Sequence, residues 1–469
     1  MRSGPLPAGW CENAAVGSTL LGRLTPAFAL GGAAVGVGFL AGADPRLAIA
    51  AALGLLFVLI VLADLAVGLA AFTILAFGAQ IPALQGPTTS VAKIAGLLLM
   101  ISWIATIATR RDARRGFISD HPGLSYVLVL FIAWVALSQV WAADSGSALT
   151  AAGRLTLNAI LVLIVYSAVR TPEQAILVIA AFVAGACLDA IYGLLFGSPL
   201  PGHLERLTSS ISNPNELASI LVAALVLSLG LAGALRSSPL GRLAALGATT
   251  LCGAAIFLTG SRGGLVGLSV ALAAFLVVGT RWRGRILLAT VLLGLAGFGY
   301  FEYVASPDIR AHVSSFGSGS GRLDIWTVAW RMIEANPLVG VGAGNFPVVS
   351  VHYLLQPGAI EHGAFFISTP KVTHNSYLEV WAELGIVGLA LFVTILVFCV
   401  RSALRAARGL ANGDFRMEFI SRAVFVALVG MLATDFFGSR EYVKELWLLL
   451  ALGPALLAMA PSSRPGTRA

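Results

Sequence analysis

PNELASILVAALVLSLGLAGAL, residues 214–235, carries one charged side chain, Glu216, at its start and none after it. A helix needs about 20 mostly apolar residues to cross a hydrocarbon core of roughly 30 Å, so this stretch reads as a membrane span. Working outward, apolar runs bounded by charge, Gly/Pro or polar clusters give candidate spans at 25–42, 46–63, 64–80, 91–109, 123–142, 153–169, 174–197, 214–235, 242–259, 262–280, 284–303, 376–402, 416–437 and 444–460. Only Asp64 interrupts 46–80, so that part also reads as a long tilted helix plus a re-entrant piece, and the count runs from twelve to fourteen. Composition agrees: 58% hydrophobic against 11% charged is far from a soluble domain, in which about a quarter of residues are charged. The expected fold is all-α, a polytopic transmembrane helix bundle.

Basic residues sit in short clusters between the apolar runs, a pattern of topology signals and not of a nucleic-acid surface. Arg110, Arg111, Arg114 and Arg115, then Arg170, Arg236 and Arg242, Arg281, Arg283 and Arg285, and Arg401, Arg405, Arg408 and Arg416 fall on alternate loops. Those loops and both termini are expected in the cytoplasm. Residues 1–24 lack a signal-peptide pattern. The organisation expected is a first part of the bundle over 1–303, a long outer loop over 304–375 and C-terminal helices over 376–469. Other outer loops are 143–152, 198–213, 260–262 and 438–443. Within the long loop, Gly321 to Glu334 mixes Ile325, Trp326, Val328 and Trp330 with Arg322, Asp324 and Arg331. It predicts an amphipathic helix stopped by Pro337, lying along the membrane surface with its tryptophans at headgroup level. Gly340, Gly342 and Gly344 mark a turn-rich return. Cys187, Cys252 and Cys399 lie in apolar runs and pack as small hydrophobes; with Cys11 they form no CxxC pattern.

Three polar islands put a cation or imidazole at the outer mouth of a span. The first runs from Arg206 through Asn213, Pro214, Asn215 and Glu216. A guanidinium fork and the free amides of a helix start both suit phosphate oxygens, although a capped helix start with Arg206 among lipid headgroups explains it too. In the second, Thr259-Gly-Ser-Arg-Gly-Gly264, a tight turn accounts for glycine but not for Arg262, which stands on the outer face against the positive-inside bias. Anchoring and ligand binding are both open there. The third is Thr373-His-Asn-Ser-Tyr-Leu-Glu379, with Glu383 following. Histidine titrates near neutral pH and suits a general base, or it helps to cap the helix. Asp189 and Asp435 lie near the outer ends of spans, where either can orient an arginine.

No Walker loop or HExxH is present, and Gly340 to Gly344 lacks the dinucleotide fingerprint's spacing. No outward carboxylate pair has metal-ligand spacing, so neither metal nor cofactor is expected.

Together the islands resemble the O-antigen ligase and O-antigen polymerase superfamily of bacterial envelope glycosyltransferases. Arg206 with Asn213-Pro-Asn-Glu-Leu-Ala218 is similar to its Arg-then-NPN segment, and Leu258 to Gly264 to its TGSRG turn. Gly321-Arg322 with Trp326, running on to Asn336-Pro-Leu-Val-Gly-Val-Gly-Ala-Gly-Asn-Phe346, resembles its periplasmic-loop motif, and Thr373 to Leu378 with Glu383-Leu-Gly385 its HNxYL segment. The resemblance covers roughly 200–400 and does not separate the branches.

It implies a multi-pass protein of the bacterial inner membrane with a periplasmic active site. There a glycan on undecaprenyl diphosphate would pass to a sugar hydroxyl of lipid A-core, or of another glycan or protein acceptor in the polymerase and protein-glycosylating branches. Arg206 and Arg262 would hold the lipid diphosphate, and His374 would take the acceptor's proton, with inversion. Arg322, Asn213, Asn215, Ser261, Asn375 and Tyr377 are the substrate-binding candidates. The partners implied are the lipid-linked donor, the glycan acceptor and membrane lipids, with no nucleic acid. The competing class is a transporter or flippase gripping the same lipid diphosphate, but no pair of related halves with interrupted helices is visible.

Overall fold

The computed structural model describes residues 45–78, 91–109, 116–197, 206–209, 213–279, 283–305, 322–354, 372–411 and 413–460, with isolated residues among 32–42 and at 307 and 310. Most of the expected span 25–42, together with Cys11, the Arg110–Arg115 cluster, Arg281, His312, Gly321, His362, Lys371 and both termini, lies outside the described residues.

The chain divides at Asp64 into two units. The first holds α1 (Pro45–Ala63). The second holds α2 (Leu65–Phe77), α3 (Val91–Thr109), α4 (Pro122–Leu137), α5 (Ser145–Ala168), α6 (Pro172–Phe196), α7 (Pro214–Ala234), α8 (Pro239–Leu258), α9 (Arg262–Val278), α10 (Arg283–Gly299), α11 (Arg322–Ala335), α12 (Phe346–Leu354), α13 (Ser376–Gly409), α14 (Phe415–Thr434) and α15 (Lys444–Met459). No strand occurs among the described residues. Among them seven helices are long and apolar enough to cross a membrane, which makes this a multi-pass membrane protein.

Boundaries mostly fall where the apolar runs end. One expected span shortens: 64–80 forms the 13-residue α2, about 20 Å long, too short to cross a bilayer upright. One expected loop shrinks: 145–152 of the predicted 143–152 is already helical, because Asp144 caps α5 by accepting from Gly146 and Ser147 amides. The expected helix 376–402 runs on to Gly409 and is broken near its start at Gly385 (φ 67°, ψ −172°).

The hub is α7, buried along nearly its whole length against α14, α8, α6 and α9. Small residues set the spacing: a Cβ on Gly230 would meet Ala423, and one on Gly267 would meet Thr434. Such close approach is how membrane helices gain packing contacts without a hydrophobic driving force. The Cys187 and Cys252 sulfurs, on α6 and α8, lie 3.9 Å apart as free thiols. Large apolar side chains such as Val129, Leu130 and Leu243 point outward, as lipid-facing positions do.

The bundle separates its charges by end. At one end Arg416 pairs with Glu173 at 3.1 Å and Arg236 lies 3.7 Å over Phe415. At the other end, Leu207 bonds the end of α8, and Ser219 near the start of α7 bonds Thr434 at the end of α14. This second end gathers all three polar islands.

Candidate active site

The first two islands form one structure. The Leu207 amide donates to Leu258 O at 3.0 Å, laying Arg206 beside the turn after α8. Arg206 Nε donates to Thr259 O (2.7 Å) and Nη2 to Asn215 Oδ1 (3.1 Å). The same Asn215 oxygen accepts from Ser261 Oγ (2.8 Å), while Ser261 caps α9 through the Gly264 amide (3.1 Å). Asn213 caps α7 through the Asn215 amide. One amide oxygen thus ties the arginine to two helix starts, each with unsatisfied N–H groups and a positive dipole end.

Arg322, the first residue of α11, joins this group. Its Nη2 donates to Phe437 O at 3.3 Å and its guanidinium lies 5.9 Å from the Phe437 ring centroid. The same phenylalanine packs against Gly263, next to Arg262. Arg206, Arg262 and Arg322 therefore feel one another. Burial, then the charges of Arg322 and Arg262, pull the Arg206 pKa down to about 10. Arg322 is lowered by burial and by Arg262. Among the described residues Arg206 and Arg322 meet carbonyls and an amide and no carboxylate. At Arg206 and Arg322, buried positive charge that meets no carboxylate among the described residues, beside two helix starts, suits a multiply charged anion.

The third island reaches the same place through the loop 437–440. Phe437 O accepts from Arg322, and the next carbonyl, Gly438 O, accepts from both the Ser376 amide (3.0 Å) and Ser376 Oγ (2.9 Å). The Arg440 amide returns a bond to Ser376 Oγ at 2.7 Å. His374 stands two residues before Ser376, half-buried, at φ 52°, among the described residues the one non-glycine residue in the left-handed region. Its neighbours over-determine that conformation. Thr373 gives its amide and hydroxyl to Glu379, Trp326 Nε1 donates to Thr373 O (3.1 Å), and Ser439 bonds Glu379 closely. A strained residue held this firmly is characteristic of functional sites.

The outer loop is locked to the bundle by the break in α13. At Gly385 the helix gives up its regular bonding, and Val341 N, Gly342 N and Ile386 N pair with Ala382 O, Glu383 O and Pro337 O. Gly385 (φ 67°) and Gly340 (φ 69°) face each other's segments so closely that a Cβ on either would strike backbone atoms. The buried Glu383 carboxylate accepts from the Gly344 amide (2.7 Å), the Phe346 amide (3.0 Å) and Tyr442 Oη (2.7 Å). The expected amphipathic helix exists as α11, yet Ile325, Val328, Ala329, Met332 and Ile333 pack into a core with α12 and Ala382. Its apolar face belongs to the protein, where the sequence reading gave it to the headgroups; Trp330 alone of its tryptophans is exposed.

The structure thus brings Arg206, Arg262, Arg322 and the His374 segment to one end. It gives Asn213, Asn215, Ser261 and Asn375 capping or arginine-holding bonds; Asn375 Oδ1 accepts from the Tyr377 and Leu378 amides. Tyr377 Oη donates to Leu432 O and its ring stacks on Phe436. Asp435 faces Arg440 at 3.7 Å, outside the three islands, and Asp189 accepts from Ser209. The sequence reading missed the loop's own contribution. Arg440 is fully buried and donates through Nη1 to Glu216 O. Glu441, buried beside Glu379 and Glu383, is raised well above the usual carboxylate range by desolvation and then by those charges. The available signal was Arg440-Glu441 in a short loop between two apolar runs.

Residues 245–393 match the O-antigen ligase family model, a segment holding Ser261, Arg262, Arg322 and His374. That segment is about a third of the chain, and over it this protein is similar to the O-antigen ligases. A curated O-antigen ligase of Pseudomonas aeruginosa is 33% identical over 190 residues, which are 40% of this chain and 42% of that ligase. The match therefore spans less than half of the relative. A chain from a solved structure described as "Structural coordination of polymerization and crosslinking by a peptidoglycan synthase complex" aligns at TM-score 0.39 and 17% identity, over 72% of this chain and 96% of that one.

Proposed function

We propose that this protein is a metal-independent inverting glycosyltransferase that moves a glycan from undecaprenyl diphosphate to a sugar hydroxyl of lipid A-core, at the periplasmic face of the inner membrane. The match of residues 245–393 to the O-antigen ligase family model, and the similarity to a curated O-antigen ligase, support glycan ligation. The observation that carries the reading is the cluster of Arg206, Arg262 and Arg322, in which Arg206 and Arg322 meet no carboxylate among the described residues.

In this reaction the acceptor O–H gives its proton to His374 as its oxygen attacks the anomeric carbon. The bond from that carbon to the diphosphate oxygen breaks, and the electron pair leaves with the lipid diphosphate. The three arginines hold the diphosphate, and their hydrogen bonds strengthen as charge grows on the leaving oxygen. Asn215 and Ser261 act on Arg206 and on the two helix starts, and Asn213, Asn375 and Tyr377 set the segments that carry the reacting groups. Arg170, Arg236 and Arg416, at the opposite end, fit the cytoplasmic side, with both termini there.

The test is reconstitution of the purified protein with an undecaprenyl-diphosphate glycan and lipid A-core, without nucleotide. A new glycoside that disappears in His374→Ala is expected. Product that persists in that variant overturns the base assignment, and absence of product while the donor is moved across the bilayer favours the transporter.

A further inference from the structure

A cavity of about 680 Å³ is bounded by α2, α3, α5 and the starts of α7 and α15, and Arg440, Tyr442 and Val443 of the 437–443 loop line it. Its depth is apolar, with Phe72, Phe77, Leu99 and Leu161 all buried in its wall. That volume is in the range of pockets that enclose a whole ligand, about 300–1,000 Å³.

Its polar groups are cationic in excess. Lys93, Arg154, Lys444 and Arg440 line it against two carboxylates, Glu216 and Glu445. Arg440 is committed to Asp435, and Lys444 Nζ lies 3.8 Å from Glu445. Lys93 and Arg154, both exposed at the rim, meet no carboxylate among the described residues. An apolar depth with an unneutralised cationic rim is complementary to an amphiphile with hydrocarbon chains and a phosphate-bearing head.

Resting on the transfer reading above, we propose that this cavity seats the lipid anchor of the acceptor, a phosphorylated acylated glycolipid, with its chains against the Phe72–Phe77 wall and its phosphate at Lys93 and Arg154. A transfer between two lipid-borne glycans needs two seats on one side of the bundle, close enough for the sugars to meet. The arginine cluster is one. The cavity is a second, and the loop that lines it is also bonded to Arg322 through Phe437 O and to the His374 segment through Ser376.

The test uses the full chain in nanodiscs, with lipid A as the acceptor probe and phosphatidylglycerol as the bulk-lipid probe. Retention of each is followed by native mass spectrometry. Wild type is expected to keep lipid A in preference to phosphatidylglycerol. Lys93→Gln/Arg154→Gln should weaken lipid A retention about twenty-fivefold, two cations near an anionic surface each contributing about fivefold. Leu157→Trp, from an exposed position on the cavity rim, should block it by filling the space. In the transfer assay the same variants should raise KM for lipid A-core and leave KM for the donor unchanged. Equal retention of both lipids, retention unaffected by the variants, or a rise in donor KM overturns the proposal. If no acceptor supports turnover, the transfer reading fails while the retention arm still decides the cavity.

Discussion

Replacing Glu383 should unlock the outer loop from the bundle, and the size of the effect follows from its three hydrogen bonds. The carboxylate is buried and accepts from the Gly344 amide, the Phe346 amide and Tyr442 Oη at 2.7–3.0 Å. Glu383→Ala leaves the buried Phe346 amide and the half-buried Gly344 amide and Tyr442 hydroxyl without an acceptor, at roughly 1–3 kcal/mol each, so about 3 kcal/mol or more in total. Relief of the carboxylate's own desolvation offsets part of this. Glu383→Gln separates the two contributions. Its amide oxygen, in the place of Oε2, can still accept from the Gly344 amide and from Tyr442 Oη, while its NH2 faces the Phe346 amide, so about one donor is orphaned and the loss is about 1–3 kcal/mol. Unfolding midpoints in detergent should therefore fall in the order wild type, Gln, Ala. Transfer activity should fall with them, because the loop segment that Glu383 holds continues into α12, which packs with α11 against α13. An Ala variant as stable as wild type, or more stable than the Gln variant, would refute the account.

Arg206→Ala, Arg262→Ala and Arg322→Ala should each lower kcat/KM for transfer by about 10- to 150-fold, the value of one charge-assisted hydrogen bond of roughly 1.5–3 kcal/mol, while membrane insertion measured by protease protection stays normal. His374→Ala should cost about 10²- to 10⁴-fold in kcat, read in single-turnover assays with donor bound. Inorganic pyrophosphate should raise the unfolding midpoint at neutral pH, where Arg206 is charged. The Arg206 pKa is depressed to about 10, so its buried charge is a cost present below that pH and relieved as pH rises through it. The pyrophosphate effect should accordingly shrink above about pH 10, and a pH-independent effect would place the anion elsewhere. Gly385→Ala should destabilise by about 1–3 kcal/mol or more from backbone conformation alone, beyond which its methyl strikes the Leu338 carbonyl; an unchanged midpoint would show that the break in α13 is not required.

The solvent and the helical class were legible in the sequence because a hydrocarbon core demands the same thing of every span, about 20 apolar residues with internal backbone bonding. The ends of α6, α7 and α8 follow from local signals such as Thr171, Asn213 and Ser238 at helix starts. Candidate cations were legible for a related reason: an arginine at the outer mouth of an apolar run is expensive there, so Arg206 and Arg262 stood out one by one. Their meeting was not legible. Asn215, which holds Arg206, reaches Ser261 across 46 positions, and adjacent carbonyls at Phe437 and Gly438 join Arg322 to Ser376, through pairings that no local periodicity encodes.

The break in α13 was hidden for the opposite reason. Glu383-Leu-Gly385 sits in an apolar run that reads as unbroken helix, and only the approach of the Pro337–Gly344 backbone, with its own donors to satisfy, makes the interruption favourable. The same docking turned the apolar face of α11 inward. Sequence alone determined that this chain lives in a membrane and which few charges are out of place in it, since both depend on transfer of single segments between water and lipid. Tertiary structure decided that those charges share one site, because burying the loop's backbone and the arginines together requires hydrogen bonds between segments far apart in the chain.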